Sequence, residues 1–166
     1  SRMGILVKGG NVFERLSQVK ILAVDKTGTL TEGNFEVTDF HVNDQVDKTA
    51  VLSLAREMEL GSTHPIARAI VRHADSLGAC SLNGFSEIES ISGKGILGRL
   101  EGETYAFGNE LMMSEYELDR KAREDACHQL AATVIHLAQV EPKRNYLGHF
   151  VIQDSLKENA QDVLGN

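Results

Sequence analysis

The sequence feature that most constrains the fold is a short apolar run that ends at an acidic residue. Residues 21–24 read Ile-Leu-Ala-Val, and Asp25 follows them directly. A continuous apolar run of this length is typical of a strand that is buried on both faces of a parallel sheet. Open α/β sheets place their reactive groups at the carboxyl ends of such strands. The run therefore predicts an α/β fold with Asp25 at the functional edge of the sheet.

The remaining pattern predicts helices and antiparallel strands in mixed order. Helical spacing and a capping box that begins at Ser155 predict helices over residues 11–16, 48–60, 64–77, 117–132 and 155–164. Alternation and glycine-containing turns predict strands over residues 35–42, 88–91, 95–100, 104–107, 133–139 and 146–152. We therefore predict an α/β fold with an α+β insert, in which an antiparallel sheet flanked by helices interrupts an incomplete Rossmann-like domain.

Composition and charge exclude several classes of function. The chain has 166 residues, of which 42% are hydrophobic, so it can bury a core. The net charge of −7 and the absence of Trp disfavour a nucleic-acid partner, which needs basic surface and aromatic stacking platforms. Cys80 and Cys127 lie outside any zinc-binding spacing, and the histidines other than His64 are scattered without ligand spacing. No run approaches the roughly 20 apolar residues of a membrane helix.

The seven residues after the apolar run, 25–31, read Asp-Lys-Thr-Gly-Thr-Leu-Thr. An aspartate carboxylate can attack the γ-phosphorus of ATP and form an acyl phosphate. That reaction needs donors around the phosphoryl oxygens and a magnesium ion that offsets charge. Lys26 and Thr27 can offer donors, and Gly28 lets the backbone approach a phosphate closely. The segment therefore predicts a site of phosphoryl transfer at Asp25.

Two further segments could line a nucleotide pocket. His64 and Pro65 stand at a predicted helix start, where a ligand with negative charge is favoured, although a surface histidine beside a helix-starting proline is the alternative. Residues 93–98 match the pattern GxGxxG, but no strand-to-helix unit surrounds them, which argues against a dinucleotide-binding fingerprint. A glycine loop between strands can still hold a nucleotide against bare backbone; a simple hairpin is the other interpretation.

Together these motifs resemble those of the heavy-metal-transporting P-type ATPases. Residues 25–31 match the phosphorylation signature of that family, and residues 4–10 resemble the segment that leads to it from the membrane. The nucleotide-binding domain of the family carries a His-Pro pair, a Gly-x-Gly loop and a Gly-Asn pair in that order. The matching residues here are His64-Pro65, Gly93-Lys94-Gly95 and Gly108-Asn109, with a shared glutamate, Glu59, five positions before the histidine. The chain departs from the family at Thr63, where the family has glutamate.

The resemblance implies a role for each matching residue. Asp25 would become the aspartyl phosphate, with Lys26 and Thr27 beside the transferred group. Mg²⁺ would be held by Asp25 and by the backbone carbonyl of Thr27. Glu59 and His64 would face the adenine of ATP. The pocket around the nucleotide would be shaped by Gly93, Gly95, Gly108 and Asn109.

The resemblance also implies a division into domains. Residues 1–33 and 147–166 would belong to the phosphorylation domain, and residues 34–146 would form the nucleotide-binding domain inserted between them. Within 147–166, Asp154 and Lys157 stand where the family has an acid and a basic residue. The whole pump would add the rest of the phosphorylation domain, an actuator domain and membrane helices.

The same resemblance sets expectations for activity and location. This soluble chain would lie on the cytoplasmic face of a membrane and would bind ATP without turning it over by itself, because the second magnesium carboxylate of the family is not in it. Copper is the first expectation for the transported ion, and zinc and cadmium are the alternatives.

Two other functions are compatible with parts of the pattern. A noncatalytic nucleotide-binding or interaction module derived from such a pump would keep the same pocket motifs. A stand-alone phosphatase of the haloacid dehalogenase superfamily would share the nucleophilic aspartate. That phosphatase would need a second aspartate two residues later, where Thr27 stands, and this argues against it.

Overall fold

The computed structural model describes residues 8–118 and 132–157 of the chain. Within these residues, six strands form one antiparallel sheet in the order β1-β6-β5-β4-β3-β2. The strands are β1 (Thr31–Val42), β2 (Phe85–Ile91), β3 (Gly95–Leu100), β4 (Glu103–Gly108), β5 (Thr133–Glu141) and β6 (Asn145–Leu156).

Three of the helices in the described residues begin at a side chain that caps a backbone amide of the first turn. Asp47, His64 and Asn109 each accept a hydrogen bond from an amide in the first turn of the helix that follows. The helices are α1 (Val12–Leu16), α2 (Lys48–Glu59), α3 (Pro65–Ser76) and α4 (Glu110–Glu115). In the described part of the chain, none of them has the length and apolar character needed to cross a membrane.

Hydrophobic side chains on the two faces of the sheet form two separate clusters. Tyr105 and Phe107 belong to one cluster and the intervening Ala106 to the other, because successive side chains of a strand point to opposite faces. Helices α2 and α3 cover the first face, and α4 covers the second. The first cluster includes the buried residues Val51, Leu52, Ala55, Met58, Ile70, Ala74, Phe107, Leu137, Phe150 and Ile152.

Most of the predicted elements are confirmed. The antiparallel sheet flanked by helices is present, and β3 has the predicted bounds. Helices α2 and α3 agree with the predictions to within a residue at each end. Helix α4 was not predicted, since its six residues are too few to show a helical period. The predicted helix over 117–132 falls almost wholly on residues 119–131, which lie outside the described residues.

The prediction of a buried parallel strand at 21–24 is wrong. These residues form no strand, and Ile21 and Leu22 expose 88% and 76% of their surface. Within the described chain no neighbouring strand runs parallel to them, so their apolar side chains join neither hydrophobic cluster. Asp25 is therefore not at a strand end. It is exposed and precedes a single wide helical turn, Lys26–Leu30, that leads into β1.

The predicted N-cap at Ser155 is also wrong. Strand β6 continues through this residue to Leu156, which pairs with Thr31 at the start of β1. The Ser155 hydroxyl donates to the backbone carbonyl of Asn34, 3.2 Å away, instead of capping a helix. Backbone pairing with β1 therefore overrides the local capping signal. The rest of the predicted helix, 158–164, lies outside the described residues.

Three histidines that are scattered in sequence meet in the sheet. His149 on β6 pairs with His41 on β1 and with His136 on β5. The Tyr146 hydroxyl lies 2.9 Å from Nδ1 of His136 and 3.0 Å from Nδ1 of His149. Strand register, which the sequence does not show, brings these rings together. Across the described residues, no group of three or more His, Cys, Asp or Glu side chains is arranged to hold a metal ion.

Candidate functional site

A cleft of about 440 Å³ lies between the C-terminal end of α2 and the sheet. Its walls are Met58 and Glu59 of α2, the loop residues Gly61, Ser62 and Thr63, and Ile88, Ser90 and Ile96 of the sheet. A neighbouring cavity of about 260 Å³ shares Glu59 and Ser62 with it and is also lined by two arginines of α3. A cleft that offers both apolar side chains and hydrogen-bonding groups suits a flat heterocyclic ring that carries polar atoms on its edge.

Glu59 is the carboxyl group of this cleft. Its side chain is partly buried, and burial raises its pKa to about 7. Near neutral pH the group therefore exchanges readily between a form that only accepts hydrogen bonds and a form that also donates one. Ile88 leaves 48% of its surface exposed on the opposite wall, so an apolar contact is available beside the carboxyl group.

His64 is placed by the helix that it caps. Its Nδ1 accepts a hydrogen bond from the Ile66 amide at 3.2 Å, so the neutral ring carries its proton on Nε2. The imidazole is exposed and directly follows the cleft-lining loop. The preceding residue, Thr63, lines the cleft. The one departure from the family motif thus falls in the wall of the site, where a threonine hydroxyl stands in place of a carboxylate.

Gly95 and Gly108 let two strands approach each other closely. The two residues pair across β3 and β4. A Cβ atom at Gly95 would lie 2.3 Å from the Phe107 carbonyl oxygen, and one at Gly108 would lie 2.3 Å from the Lys94 carbonyl oxygen. No side chain fits in either place without a shift of backbone. These glycines therefore shape the strand ends next to the cleft.

Asn109 ties the β2–β3 turn to the start of α4. Its side-chain amide donates to the Gly93 carbonyl at 2.8 Å, and its backbone amide donates to the Lys94 carbonyl at 2.8 Å. Its side-chain oxygen accepts from the Met112 amide at 3.2 Å. The Lys94 ammonium pairs with the Glu115 carboxylate. The Gly-x-Gly loop and the Gly-Asn pair thus form one hydrogen-bonded unit.

Asp25 lies away from the residues that line the cleft, just before the turn that leads into β1, and the end of β6 is next to this turn. It immediately precedes the turn that contains the backbone of Lys26 and Thr27. Thr31 closes this turn, because its Oγ1 accepts from the Gly28 amide at 3.0 Å. The same hydroxyl donates to Asp154 on β6 at 2.5 Å. Thr31 and Asp154 are 123 positions apart, and their contact depends on strand register, which local sequence patterns do not show.

A family model for haloacid dehalogenase-like hydrolases matches residues 19–166. The chain is 36% identical over 166 residues to a cadmium, zinc and cobalt-transporting ATPase of Bacillus subtilis, a match that covers 100% of this chain and 22% of that protein. It is 35% identical over 167 residues to a copper-exporting P-type ATPase of Legionella pneumophila, covering 99% of this chain and 22% of that protein. The chain thus spans about a fifth of the length of these relatives.

Solved structures agree with these matches. A crystal structure of a zinc-transporting PIB-type ATPase in the E2.Pi state matches with a TM-score of 0.68 and 30% identity, over 99% of this chain and 26% of that chain. The catalytic domain of the CPx-ATPase CopB-B, studied for its conformational changes upon nucleotide binding, matches with a TM-score of 0.67 and 25% identity. That match covers 99% of this chain and 55% of the other.

The raised pKa of Glu59 predicts how stability depends on pH. Between pH 4.5, the ordinary value, and about 7, the folded chain retains a proton that the unfolded chain releases, so stability falls as pH rises through this window. Glu59→Gln cannot ionise and should lose less stability over this window. Chemical denaturation at pH 4 and pH 8 measures the difference, with the exposed Glu32→Gln as the charge control. Parallel pH curves for wild type and Glu59→Gln would contradict the prediction.

The close approach at Gly95 predicts a large effect of a single methyl group. Gly95→Ala should destabilise the fold by at least about 2 kcal/mol, because the new Cβ meets backbone atoms and the φ angle is +150°. Gly61→Ala is the matched control, since no atom lies within 4 Å of its added Cβ, and it should change stability by no more than about 0.5 kcal/mol. Urea unfolding measures both. Equal stability of the two variants would show that β3 and β4 can separate without cost.

Proposed function

The chain belongs to the haloacid dehalogenase-like hydrolases, its relatives are heavy-metal-transporting P-type ATPases, and from this premise we propose that it binds ATP for transfer of a phosphoryl group to Asp25. The proposal rests on the cleft at Glu59, which combines apolar side chains, a partly buried carboxyl group and an adjoining helix start at His64. Glu59 and His64 belong to motifs that the sequence shares with the family.

The chemistry of the cleft supports recognition of adenine. The apolar walls at Met58, Ile88 and Ile96 can contact the faces of a purine ring. The carboxyl group of Glu59 can accept a hydrogen bond from its exocyclic amine, and Nε2–H of His64 can donate to a ring nitrogen. The hydrogen-bonded unit of Gly93, Gly95, Gly108 and Asn109 would then border the ribose and phosphates.

Phosphoryl transfer would use the exposed carboxylate of Asp25. A carboxylate oxygen attacks the γ-phosphorus, an acyl phosphate bond forms, and the bond from γ-phosphorus to the bridging oxygen of ADP breaks. The backbone of Lys26 and Thr27 lies in the turn beside this carboxylate, where backbone amides can stabilise the phosphoryl oxygens.

The residues at this place also suit Mg²⁺, the ion on which such a transfer depends. Magnesium prefers oxygen ligands and is commonly held by one or two protein oxygens together with substrate phosphates. The Asp25 carboxylate is exposed, and the Thr27 carbonyl belongs to the neighbouring turn, so both can serve. When bound, the ion would offset the negative charge that gathers on the phosphates.

The division into domains is part of the same proposal. Residues 34–146 would bind the nucleotide, and residues 1–33 and 147–166 would belong to the phosphorylation domain. Strands β1 and β6 are adjacent and run across the two boundaries, so they support an arrangement in which both connections leave the insert side by side. The remaining phosphorylation domain, the actuator and the membrane helices of a pump would be its partners, with this chain on the cytoplasmic face.

The transported ion would be a heavy metal. The relatives named for cadmium, zinc and cobalt and for copper match at nearly the same identity, 36% and 35%, and do not favour one metal over another. The alternative function, a noncatalytic nucleotide-binding module, is favoured by one observation: the family carboxylate is replaced by Thr63 in the wall of the cleft.

Calorimetric titration with ATP and a nonhydrolysable analogue tests the cleft. His64→Ala should weaken binding roughly 10-fold, because a hydrogen bond to the base is lost. It also removes the cap of α3, so His64→Asn is the matched variant: asparagine keeps the capping acceptor but lacks the ring. We expect both to weaken binding and only His64→Ala to lower the melting temperature. Equal affinity of wild type and His64→Asn would remove His64 from the site.

Phosphorylation tests the role of Asp25. In the full-length protein that contains this chain, Asp25→Asn should abolish the acid-stable phosphoenzyme formed from ATP, because an amide cannot form the acyl phosphate. Its affinity for ATP should be retained, since the cleft is built from α2 and the sheet. Radiolabelled ATP and acid quenching measure the phosphoenzyme. A wild-type protein that binds ATP but never carries phosphate at Asp25 would favour the noncatalytic module.

A further inference from the structure

We propose that Thr31, Asp154 and Lys157 are positioning residues for phosphoryl transfer, which fix the turn after Asp25 against the end of β6. This inference rests on the proposed function and deepens it, because it concerns the same site. The three residues come from two strand ends that are far apart in sequence and adjacent in the sheet.

Thr31 connects the turn to the neighbouring strand through a single hydroxyl. The residue is completely buried. Its Oγ1 accepts a hydrogen bond from the Gly28 amide at 3.0 Å and donates its proton to the Asp154 carboxylate at 2.5 Å. A hydrogen bond to a charged acceptor is stronger than one between neutral groups. The hydroxyl therefore fixes the turn relative to β6 and not merely relative to β1.

Asp154 is an unfavourable residue for simple strand pairing. Its Oδ1 is buried and has no hydrogen-bond partner in the described structure, and a buried acceptor without a partner is costly. Strands β1 and β6 already pair through their backbones on both sides of this position. Strand pairing therefore does not require the Asp154 carboxylate. Its contact with Thr31 indicates that it stabilises the turn after Asp25 instead.

Lys157 contacts the other backbone hydrogen-bonding group of the same residue, Gly28. Its ammonium donates to the Gly28 carbonyl at 3.2 Å, and its backbone amide donates to the Leu30 carbonyl at 3.0 Å. Both hydrogen-bonding groups of Gly28 are thus occupied, the amide by Thr31 and the carbonyl by Lys157. With φ at +79°, Gly28 has a conformation that few other residues adopt, and these contacts stabilise it.

The constraint acts on the nucleophile through the backbone. The turn starts at the residue after Asp25, so fixing Gly28 limits the orientations of the Asp25 carboxylate. Rates of group transfer depend steeply on such alignment, and a misplacement of about 1 Å can lower a rate roughly 100-fold. The ATP cleft is built from other elements, so the effect should fall on the transfer step and not on ATP binding.

The decisive experiment compares Thr31→Val with Thr31→Ser in the full-length protein. Valine keeps the shape but lacks the hydroxyl, whereas serine retains it. We expect Thr31→Val to lower the rate of phosphoenzyme formation roughly 10- to 100-fold with an unchanged half-saturating ATP concentration, and Thr31→Ser to restore most of the rate. Thr38→Val is the matched control, because it removes a hydroxyl that bonds to Val151 between the same two strands.

A second pair of variants avoids the buried core. Lys157 is exposed, so Lys157→Met should fold. It should lose the contact with the Gly28 carbonyl and slow phosphorylation, whereas Lys157→Arg should keep the contact and the wild-type rate of phosphorylation. Amide hydrogen exchange at Gly28, measured by NMR on the chain itself, reports the contact directly. Exchange should accelerate in Thr31→Val and stay at the wild-type rate in Thr38→Val.

The outcomes separate this inference from the proposed function. Wild-type rates of phosphorylation in Thr31→Val and Lys157→Met would overturn the inference and leave the proposed function standing. A loss of ATP affinity equal to the loss of rate would overturn it as well, because the residues would then act on binding or folding. Absence of phosphate on Asp25 in the wild-type protein would overturn both.

Discussion

The ladder between β1 and β6 holds together two chain segments that are distant in sequence. It runs from the pair Thr31 and Leu156 to the pair Val42 and Gly148. Such distant pairing is entropically costly, and burial of apolar side chains across the sheet offsets that cost. Phe150 of β6 is central to this burial, since its ring stacks on Phe40 at 4.4 Å and contacts Phe107 edge-on at 5.6 Å. Because β6 also pairs with β5, the turn after Asp25 is attached to the whole sheet.

The helices α2 and α3 could be predicted because local signals and tertiary packing agree there. Their apolar faces have helical periods, and each begins at a residue that caps it. The segment at 21–24 has an equally clear apolar pattern, but a buried strand also needs neighbours to bury it. In the described structure the sheet is antiparallel and does not include this segment. An apolar run predicts a buried strand only if other strands lie beside it, and the run itself does not show whether they do.

The residues of the candidate site also differ in whether local sequence or strand register brings them together. The motifs led to Glu59, His64, the glycines and Asn109. In the structure Glu59 lines the cleft and His64 follows the cleft-lining loop, while short-range contacts join Gly93, Gly95, Gly108 and Asn109 to one another. The contact between Thr31 and Asp154 spans 123 positions and depends on strand register, which the sequence does not show. The same limit explains why three histidines looked scattered. Contacts between residues of neighbouring short motifs therefore need little knowledge of the fold, whereas the contact that holds the turn after Asp25 depends on strand register.

The hydroxyl of Tyr146 has a consequence for the two buried histidines beside it. It carries one proton and lies within hydrogen-bonding distance of Nδ1 on both His136 and His149. It can donate to only one of them and must accept from the other, so one ring has a proton on Nδ1 and the other does not. The tautomers of two residues on different strands are thus correlated. A change of tautomer in one ring requires the Tyr146 hydroxyl to rotate and the other ring to change its tautomer as well. His136, Tyr146 and His149 thus form a directional chain of hydrogen bonds within the sheet.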